Sequence, residues 1–150
     1  MRALIQRVSQ AEVSIDGHTH CSIGNGLLVF VGVEHSDTAE DAAWLASKVA
    51  ALRIFDDASG VMNLDLRQAG GEALVVSQFT LHASTRKGNR PSYIRSARED
   101  VAVPLYENFV HALESALARG VARGVFGADM QVGLVNDGPV TIWIDSRSRE

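Results

Sequence analysis

Two short stretches hold the residue types from which chemistry could be built. In Ser77-Gln78-Phe79-Thr80-Leu81 two hydroxyls and an amide surround a phenylalanine at the end of an apolar run; in Asn136-Asp137-Gly138-Pro139-Val140-Thr141 a Gly-Pro pair stands between the apolar runs Met130 to Val135 and Val140 to Ile144. Ser and Thr oxygens can attack a carbonyl, position a substrate, or satisfy backbone groups where a strand ends. A Gly-Pro pair offers main chain instead. Its cis form costs only about 0.5–1 kcal/mol, so it can aim carbonyl oxygens in directions closed to trans peptides and make a binding device without side chains. Read alone, Asp137-Gly138 is a tight hairpin turn with Pro139 opening the next strand, because only about 5–6% of X-Pro bonds are cis.

Other chemical signals are few. No Gly-x-Ser-x-Gly elbow, Walker loop or Gly-x-Gly-x-x-Gly opening a helix is present, so the usual nucleophile and nucleotide signatures are missing. The five histidines (His18, His20, His35, His82, His111) are scattered, and only His18-x-His20-Cys21 has a spacing that could gather metal ligands. That trio follows the Asp16-Gly17 turn, where exposed polar residues are expected anyway, so neither metal nor cofactor is expected. Cys21 is the only cysteine, which excludes an internal disulfide and a cysteine-based zinc site. The net charge of −4 argues against non-specific coating of nucleic acid. Thr85 to Arg98 nevertheless carries Arg86, Lys87, Arg90, Arg95 and Arg98 with no acid, which suits a phosphate-facing loop as well as an ordinary solvated one.

These residues need a scaffold, and 150 residues suit one compact domain spanning 1–150. The opening Met-Arg-Ala-Leu-Ile-Gln-Arg mixes polar with apolar residues too early for a signal peptide, and no apolar run approaches the roughly 20 residues of a membrane span, so a soluble cytoplasmic protein is expected. Alternation through Leu4 to Val8 and again through Glu12 to Ile15 predicts two antiparallel strands; the Asp16-Gly17 turn leads to a third near Thr19 to Ile23. The continuous run Leu27 to Val33 predicts a central strand buried on both faces. Ser36 and Asp37 offer N-caps for a helix from about Thr38 to Ala51, with Trp44, Leu45, Val49 and Leu52 at helical spacing.

A short hairpin should follow, with Arg53-Ile54-Phe55 and Val61-Met62-Asn63 around Asp56 to Gly60, and then a buried strand from Ala73 to Phe79. A second helix is predicted from Val103 to Ala118 on the stripe Leu105, Tyr106, Phe109, Val110, Leu113 and Leu117, with Pro104 tolerable only in its first turn. Strand patterns return at Val121 to Phe126, Met130 to Val135 and Val140 to Ile144. The expected class is α+β: a single domain with a mostly antiparallel sheet, or a partly closed barrel, and two main helices packed on it.

Taken together, the two motifs resemble the signature motifs of the bacterial D-aminoacyl-tRNA deacylases. Leu4 to Val8, Arg53-Ile54-Phe55, Met62-Asn63-Leu64, Gly88-Asn89-Arg90-Pro91-Ser92 and Ala128-Asp129-Met130-Gln131-Val132 are similar to segments of that family as well, so the resemblance spans the chain. It implies a homodimeric enzyme that hydrolyses the ester between a D-amino acid, or glycine, and the terminal adenosine of tRNA. The catalytic group implied is Ser77, Gln78, Phe79 and Thr80; the substrate-binding group is Gly138, Pro139, Arg7 and Met130; and Arg86, Lys87 and Arg90 are the expected tRNA contacts.

In the family the Gly-Pro bond is cis and enters the partner's pocket, which implies that Gly138 and Pro139 exclude L side chains while Arg7 holds the cis geometry. Exclusion can discriminate strongly where a hydrophobic pocket gains only about 1–3 kcal/mol per methylene, and glycine, lacking a side chain, escapes it. The resemblance further favours a route in which the 2′-OH of the terminal ribose helps activate water while N–H groups around Phe79 and Thr80 hold the oxyanion, with Thr80 positioning rather than attacking. Two departures stand out: Tyr93 where the family pattern has phenylalanine, and an exposed-looking tail from Ser146 to Glu150. Neither is expected to touch the chemistry. Two rival readings stay open: a small oligomeric hydrolase of a free reactive metabolite, which needs a charged anchor such as arginine in the pocket, and a non-catalytic module that binds RNA ends.

Overall fold

The structure, a computed structural model, describes residues 1–149. In chain order its elements are β1 (Arg2–Ile15), β2 (His18–Ile23), β3 (Gly26–Gly32), α1 (Ala39–Ala51), β4 (Phe55–Asp56), β5 (Met62–Leu64), β6 (Glu72–Ser77), a 3-10 turn (Phe79–His82), α2 (Glu99–Leu117), β7 (Ala122–Arg123) and β8 (Met130–Asp145). One side of β1 pairs antiparallel with β3 along its first half and with β2 along its second, while β8 runs antiparallel along the whole of its other side. β6 joins β3 in parallel and β7 joins β6 in parallel. The sheet is therefore mixed and mostly antiparallel. β2 also touches β6 and β7, which curls the sheet into a nearly closed barrel with two helices on its outside, the class expected.

Two cores result. Ala3, Ile5, Leu27 and Val29 pack under α1 and α2 against Leu45, Val49, Phe109 and Leu113. Inside the curl lie Val8, Ala11, Val13, Leu28, Leu74 and Val76. Strand β3 serves both, Leu27 and Val29 one core and Leu28 the other, as a strand buried on two faces must. Each such side chain contributes about 1.5–3 kcal/mol of burial.

Several expected boundaries shift. The two strands predicted at the N-terminus are one, β1, which turns into β2 through Asp16 and Gly17, both at positive φ (52° and 76°) and so matched to a two-residue hairpin. The cap of α1 is Thr38, not Ser36 or Asp37: the Asp41 carboxylate accepts the Thr38 amide N–H at 2.9 Å, the return half of a capping box. Asp37 instead faces inward to the Met1 ammonium at 2.5 Å. Helix α2 begins at Glu99, four residues earlier than expected, and Pro104 sits beyond its first turn. The acidic Glu99 and Asp100 complement the helix N-terminus, and the buried face from Ala102 onward offsets the bond that proline cannot donate.

The strand expected at Val121 to Phe126 shrinks to the two residues of β7. The tail is not wholly exposed, because Ser146 is buried, accepting from the Met1 ammonium and donating to Asp41, both at 2.8 Å. Glu150 lies outside the described residues.

The largest correction concerns the C-terminal motif. Met130 to Ile144 is not a hairpin but part of one 16-residue strand, β8. Its pairing with β1 passes from Gln6↔Thr141 to Val8↔Asn136, so residues 137–140 stand opposite Arg7 alone, as a wide bulge. The bulge turns the strand over. Met130, Val132 and Leu134 pack on the inner core, whereas Val140, Ile142 and Ile144, of the same parity, pack on the outer one. No described peptide bond is cis, so the expected cis Gly138-Pro139 bond is not found. Trans is the lower-energy isomer, and the change of direction comes from Gly138, at φ +117°, within a bulge that needs no isomerised bond.

Candidate active site

Strand β6 ends at Ser77; Gln78 still donates its N–H to Val31 O at 2.7 Å, and the chain then turns into the 3-10 segment through Leu81 N–H to Gln78 O at 3.2 Å and Ala83 N–H to Thr80 O at 3.0 Å. Beside this break opens a cavity of about 450 Å³. Ser77, Gln78 and Phe79 line it together with Gly127, Ala128, Asp129, Met130 and Val132. Val31, Val33 and Val76 make the floor, while Arg98, Glu99 and Ala102 bring the N-terminus of α2 to the rim. Tyr106 also borders it, but its hydroxyl is spent on Val75 O at 3.1 Å, and burial, with Glu107 nearby, pushes the phenol well above its usual range. It is no general acid here.

Ser77, Gln78 and Phe79 of the catalytic group and Met130 of the substrate-binding group all line this cavity. Thr80 is not in the wall: its hydroxyl accepts from the Gln78 side chain. The amides of Phe79 and Thr80 donate to no protein acceptor among the described residues, the condition of the first N–H groups of any helical turn. The Phe79 amide is thus a free donor on a residue of the cavity wall, with the free Thr80 amide next to it in sequence, and free donors of this kind suit an anionic oxygen. Phe79 is 56% exposed and meets Tyr93 edge-on at 5.1 Å between centroids. Tyr93, expected to be remote, therefore supports the pocket wall. No described helix is long and apolar enough to cross a membrane.

Gly138, Pro139 and Arg7 do not line this cavity. They form a second, separate arrangement. The buried Arg7 guanidinium donates to Ile54 O at 2.5 Å and Asp137 O at 3.1 Å, while Asn136 Nδ2 donates to Arg7 O at 2.8 Å and Val140 O at 3.1 Å. A Cβ at position 138 would collide with Arg7 Nη2. Arg7 therefore holds the bulge, though not a cis bond, and leaves Asp137, Gly138 and Pro139 exposed. Arg86, Lys87 and Arg90 are also exposed, on a loop pinched by the mutual Ser84 and Ser92 bonds at 2.8 and 2.9 Å. Of the remaining basic residues, Arg95 is held by Glu34 at 2.6 Å and Arg98 reaches the pocket.

His18 and Cys21 turn to backbone carbonyls, of Asp16 at 2.9 Å and Arg123 at 3.4 Å. Arg98, Glu99, Gly127 and Ala128 are pocket residues that motif reasoning did not single out. The early start of α2 hid the first pair, although Ala128 lies in a segment already noticed for its resemblance.

The family profile described as D-Tyr-tRNA(Tyr) deacylase matches residues 4–145. Proteins named D-aminoacyl-tRNA deacylase from Chromobacterium violaceum and Akkermansia muciniphila are 60% and 61% identical over 150 residues, with all of each chain covered. Among solved structures, one titled c-Myc DNA Unwinding Element Binding Protein superposes with a TM-score of 0.92 at 35% identity, covering 97% of this chain and 98% of its own. A second, titled as a probable eukaryotic D-amino acid tRNA deacylase, has a TM-score of 0.79 at 18% identity over 95% and 97% of the two chains, and speaks for the fold alone. With a matching profile over nearly the whole chain and full-length relatives of this identity, the protein belongs to the D-Tyr-tRNA(Tyr) deacylase family and is an enzyme of the aminoacyl-tRNA deacylase class.

Proposed function

We propose that the chain removes D-amino acids, and glycine, from tRNA by hydrolysing the aminoacyl ester, and that it does so in the cytoplasm as a homodimer in which the exposed Asp137-Gly138-Pro139 bulge of one copy enters the pocket of the other. The observation that carries this reading is the pocket wall at Ser77 to Phe79, where the free Phe79 amide, followed by that of Thr80, adjoins the cavity. The amides of Phe79 and Thr80 hold the oxyanion, and the 2′-OH of the terminal ribose helps activate water. Thr80, bonded to Gln78 rather than aimed into the cavity, positions the wall.

Selection works by exclusion. Main chain projecting from a bulge that Arg7 clamps on one side leaves room for hydrogen on the substrate α-carbon but not for an L side chain, and a rigid obstacle rejects more strongly than a pocket attracts. Arg86, Lys87 and Arg90 would meet acceptor-end phosphates, each neutralised phosphate making binding more salt-dependent.

The test is deacylation of D-tyrosyl-, L-tyrosyl- and glycyl-tRNA, together with a D-aminoacyl-tRNA ending in 2′-deoxyadenosine. Cleavage of the first and third, sparing of the L form and loss of turnover on the deoxy form are expected; equal cleavage of D and L forms would sink the exclusion mechanism. A second reading draws on Arg98 at the pocket rim, the charged anchor that a hydrolase of a free metabolite would need. Cleavage of a free D-aminoacyl ester as fast as the tRNA ester favours it.

A further inference from the structure

His82 closes the 3-10 turn that carries Phe79. It is 1% exposed, and neither of its ring nitrogens makes a hydrogen bond of good geometry among the described residues, although the Gly32 backbone acts on the ring as an acceptor. A buried imidazole so poorly partnered is costly, and this one lies next to a carboxylate that has other work. Nδ1 is 3.3 Å from Glu34 Oε2. The same oxygen accepts from Arg95 Nη2 at 2.6 Å, and Glu34 Oε1 accepts from Ser36 at 3.0 Å. Glu34 also forms an isolated antiparallel bridge with Ser96, whose hydroxyl donates to Phe79 O at 2.9 Å. One carboxylate thus stands between an imidazole under the turn and a guanidinium whose neighbour in sequence holds Phe79 in the pocket wall.

The charged groups facing the ring come from three segments. Arg2 of β1 donates to Leu81 O at 2.9 Å and opposes a second proton on His82. Glu34 and Asp37, both after β3, favour it, although Asp37 is already held by the Met1 ammonium and by Arg147 at 3.3 Å. Arg95, from the segment after the basic loop, acts through Glu34. Burial outweighs the Gly32 backbone acceptor and the two carboxylates, so the imidazole titrates below its usual 6.5.

We propose that His82 is a positioning residue in a proton-sensitive latch: when its imidazole takes a proton from solvent, the Glu34 carboxylate moves toward it and away from Arg95, and the Ser96 hold on Phe79 slackens. The latch is closed with His82 neutral. By linkage, a substrate that needs the closed wall also disfavours the proton. The inference rests on the reading that this pocket is the hydrolytic site.

The test is the pH dependence of kcat/KM on D-aminoacyl-tRNA from about pH 5 to about pH 8 for the wild type, His82→Phe and Glu34→Gln. Relative to His82→Phe, the wild type should lose about fivefold on the acid side, the lower end of the range for coupled sites, with a midpoint below 6.5. Glu34→Gln should abolish the acid-side loss, because no carboxylate remains to be drawn toward the imidazolium, and should move the His82 titration itself lower, because it removes a charge that favours the imidazolium. A flat ratio of wild type to His82→Phe, with both folded, overturns the latch. Should phenylalanine prevent folding, His82→Gln, neutral throughout this range, gives the same decision. NMR of the wild type supplies a readout independent of turnover. Ser96 amide and Phe79 ring shifts that follow the His82 titration support the latch, and shifts that ignore it overturn it. Absence of hydrolysis at every pH would instead refute the hydrolytic reading, leaving the NMR result to decide the latch.

Discussion

Strands β3 and β8 flank the same β1, yet they use their residues in opposite ways. In β3 six of seven residues are buried, the pairing with β1 runs from Arg2↔Gly32 to Val8↔Gly26 without interruption, and both faces fill a core. In β8 exposed residues alternate with half-buried ones except at 137–139, where all three are exposed, and at its end; one side pairs with β1 and the other has no strand partner among the described residues, and the register breaks around Arg7. Regular pairing and two-sided burial make β3 a source of stability. The interrupted edge strand spends stability on placing three exposed residues at the tip of a clamped bulge. An unpaired edge usually needs protection from further pairing, and a bulge that breaks the ladder gives some while also presenting main chain to a partner.

That division predicts where substitutions act. Leu27→Ala in β3 should cost about 2–5 kcal/mol, the usual range for such a core truncation, seen as a lower denaturant midpoint, while the folded fraction keeps its kcat/KM and its D-over-L preference. A change in that preference would break the division. Gly138→Ala should do the reverse. Its positive φ and the Arg7 guanidinium that a Cβ would meet cost about 1–2 kcal/mol, but kcat/KM on D-aminoacyl-tRNA should fall about a hundredfold, because misplacing a positioning element by about an ångström has that effect. If Gly138→Ala changed stability alone, the bulge would be structural like β3.

A smaller effect is expected at the tie between the α1 cap and the C-terminal tail. Burial works to raise the Asp41 pKa, but hydrogen bonds from Ser146 and Thr38 outweigh it and hold the carboxyl below its usual 3.8. A carboxyl depressed on folding contributes stability above its unfolded pKa and loses it as pH falls through the folded value. Urea unfolding of Asp41→Asn should therefore be less pH-dependent than that of the wild type below about pH 4, with about 1 kcal/mol lost at neutral pH along with the cap. Thr80→Ala should have the least effect, within about threefold in kcat, because the hydroxyl braces Gln78 and does not attack; a loss of about 10⁴ or more, as for a nucleophile, would reassign it.

Sequence reasoning reached what is encoded locally. The two helices announced themselves by apolar spacing, β3 and β6 by continuous apolar runs, and the Asp16-Gly17 hairpin by two residue types that tolerate positive φ. The pocket wall at Ser77 to Phe79 could be named because a motif is contiguous in sequence, and Met130 because its segment matched the family pattern. Tertiary structure decided the remainder. Asp137 and Gly138 have turn chemistry, and no local signal says that they make a bulge rather than a hairpin. That choice depends on β1 pairing along both halves of β8 and on Arg7, 130 residues distant in sequence, bonding to Asp137 O. The burial of Ser146 depends on Met1 in the same way, and the arrival of Arg98 and Glu99 at the pocket depends on a helix that starts before its apolar stripe and carries its proline past the first turn. Periodicity and turn preference are properties of a few consecutive residues, whereas register, capping by distant groups and the sharing of one carboxylate by His82 and Arg95 exist only once the chain has closed on itself.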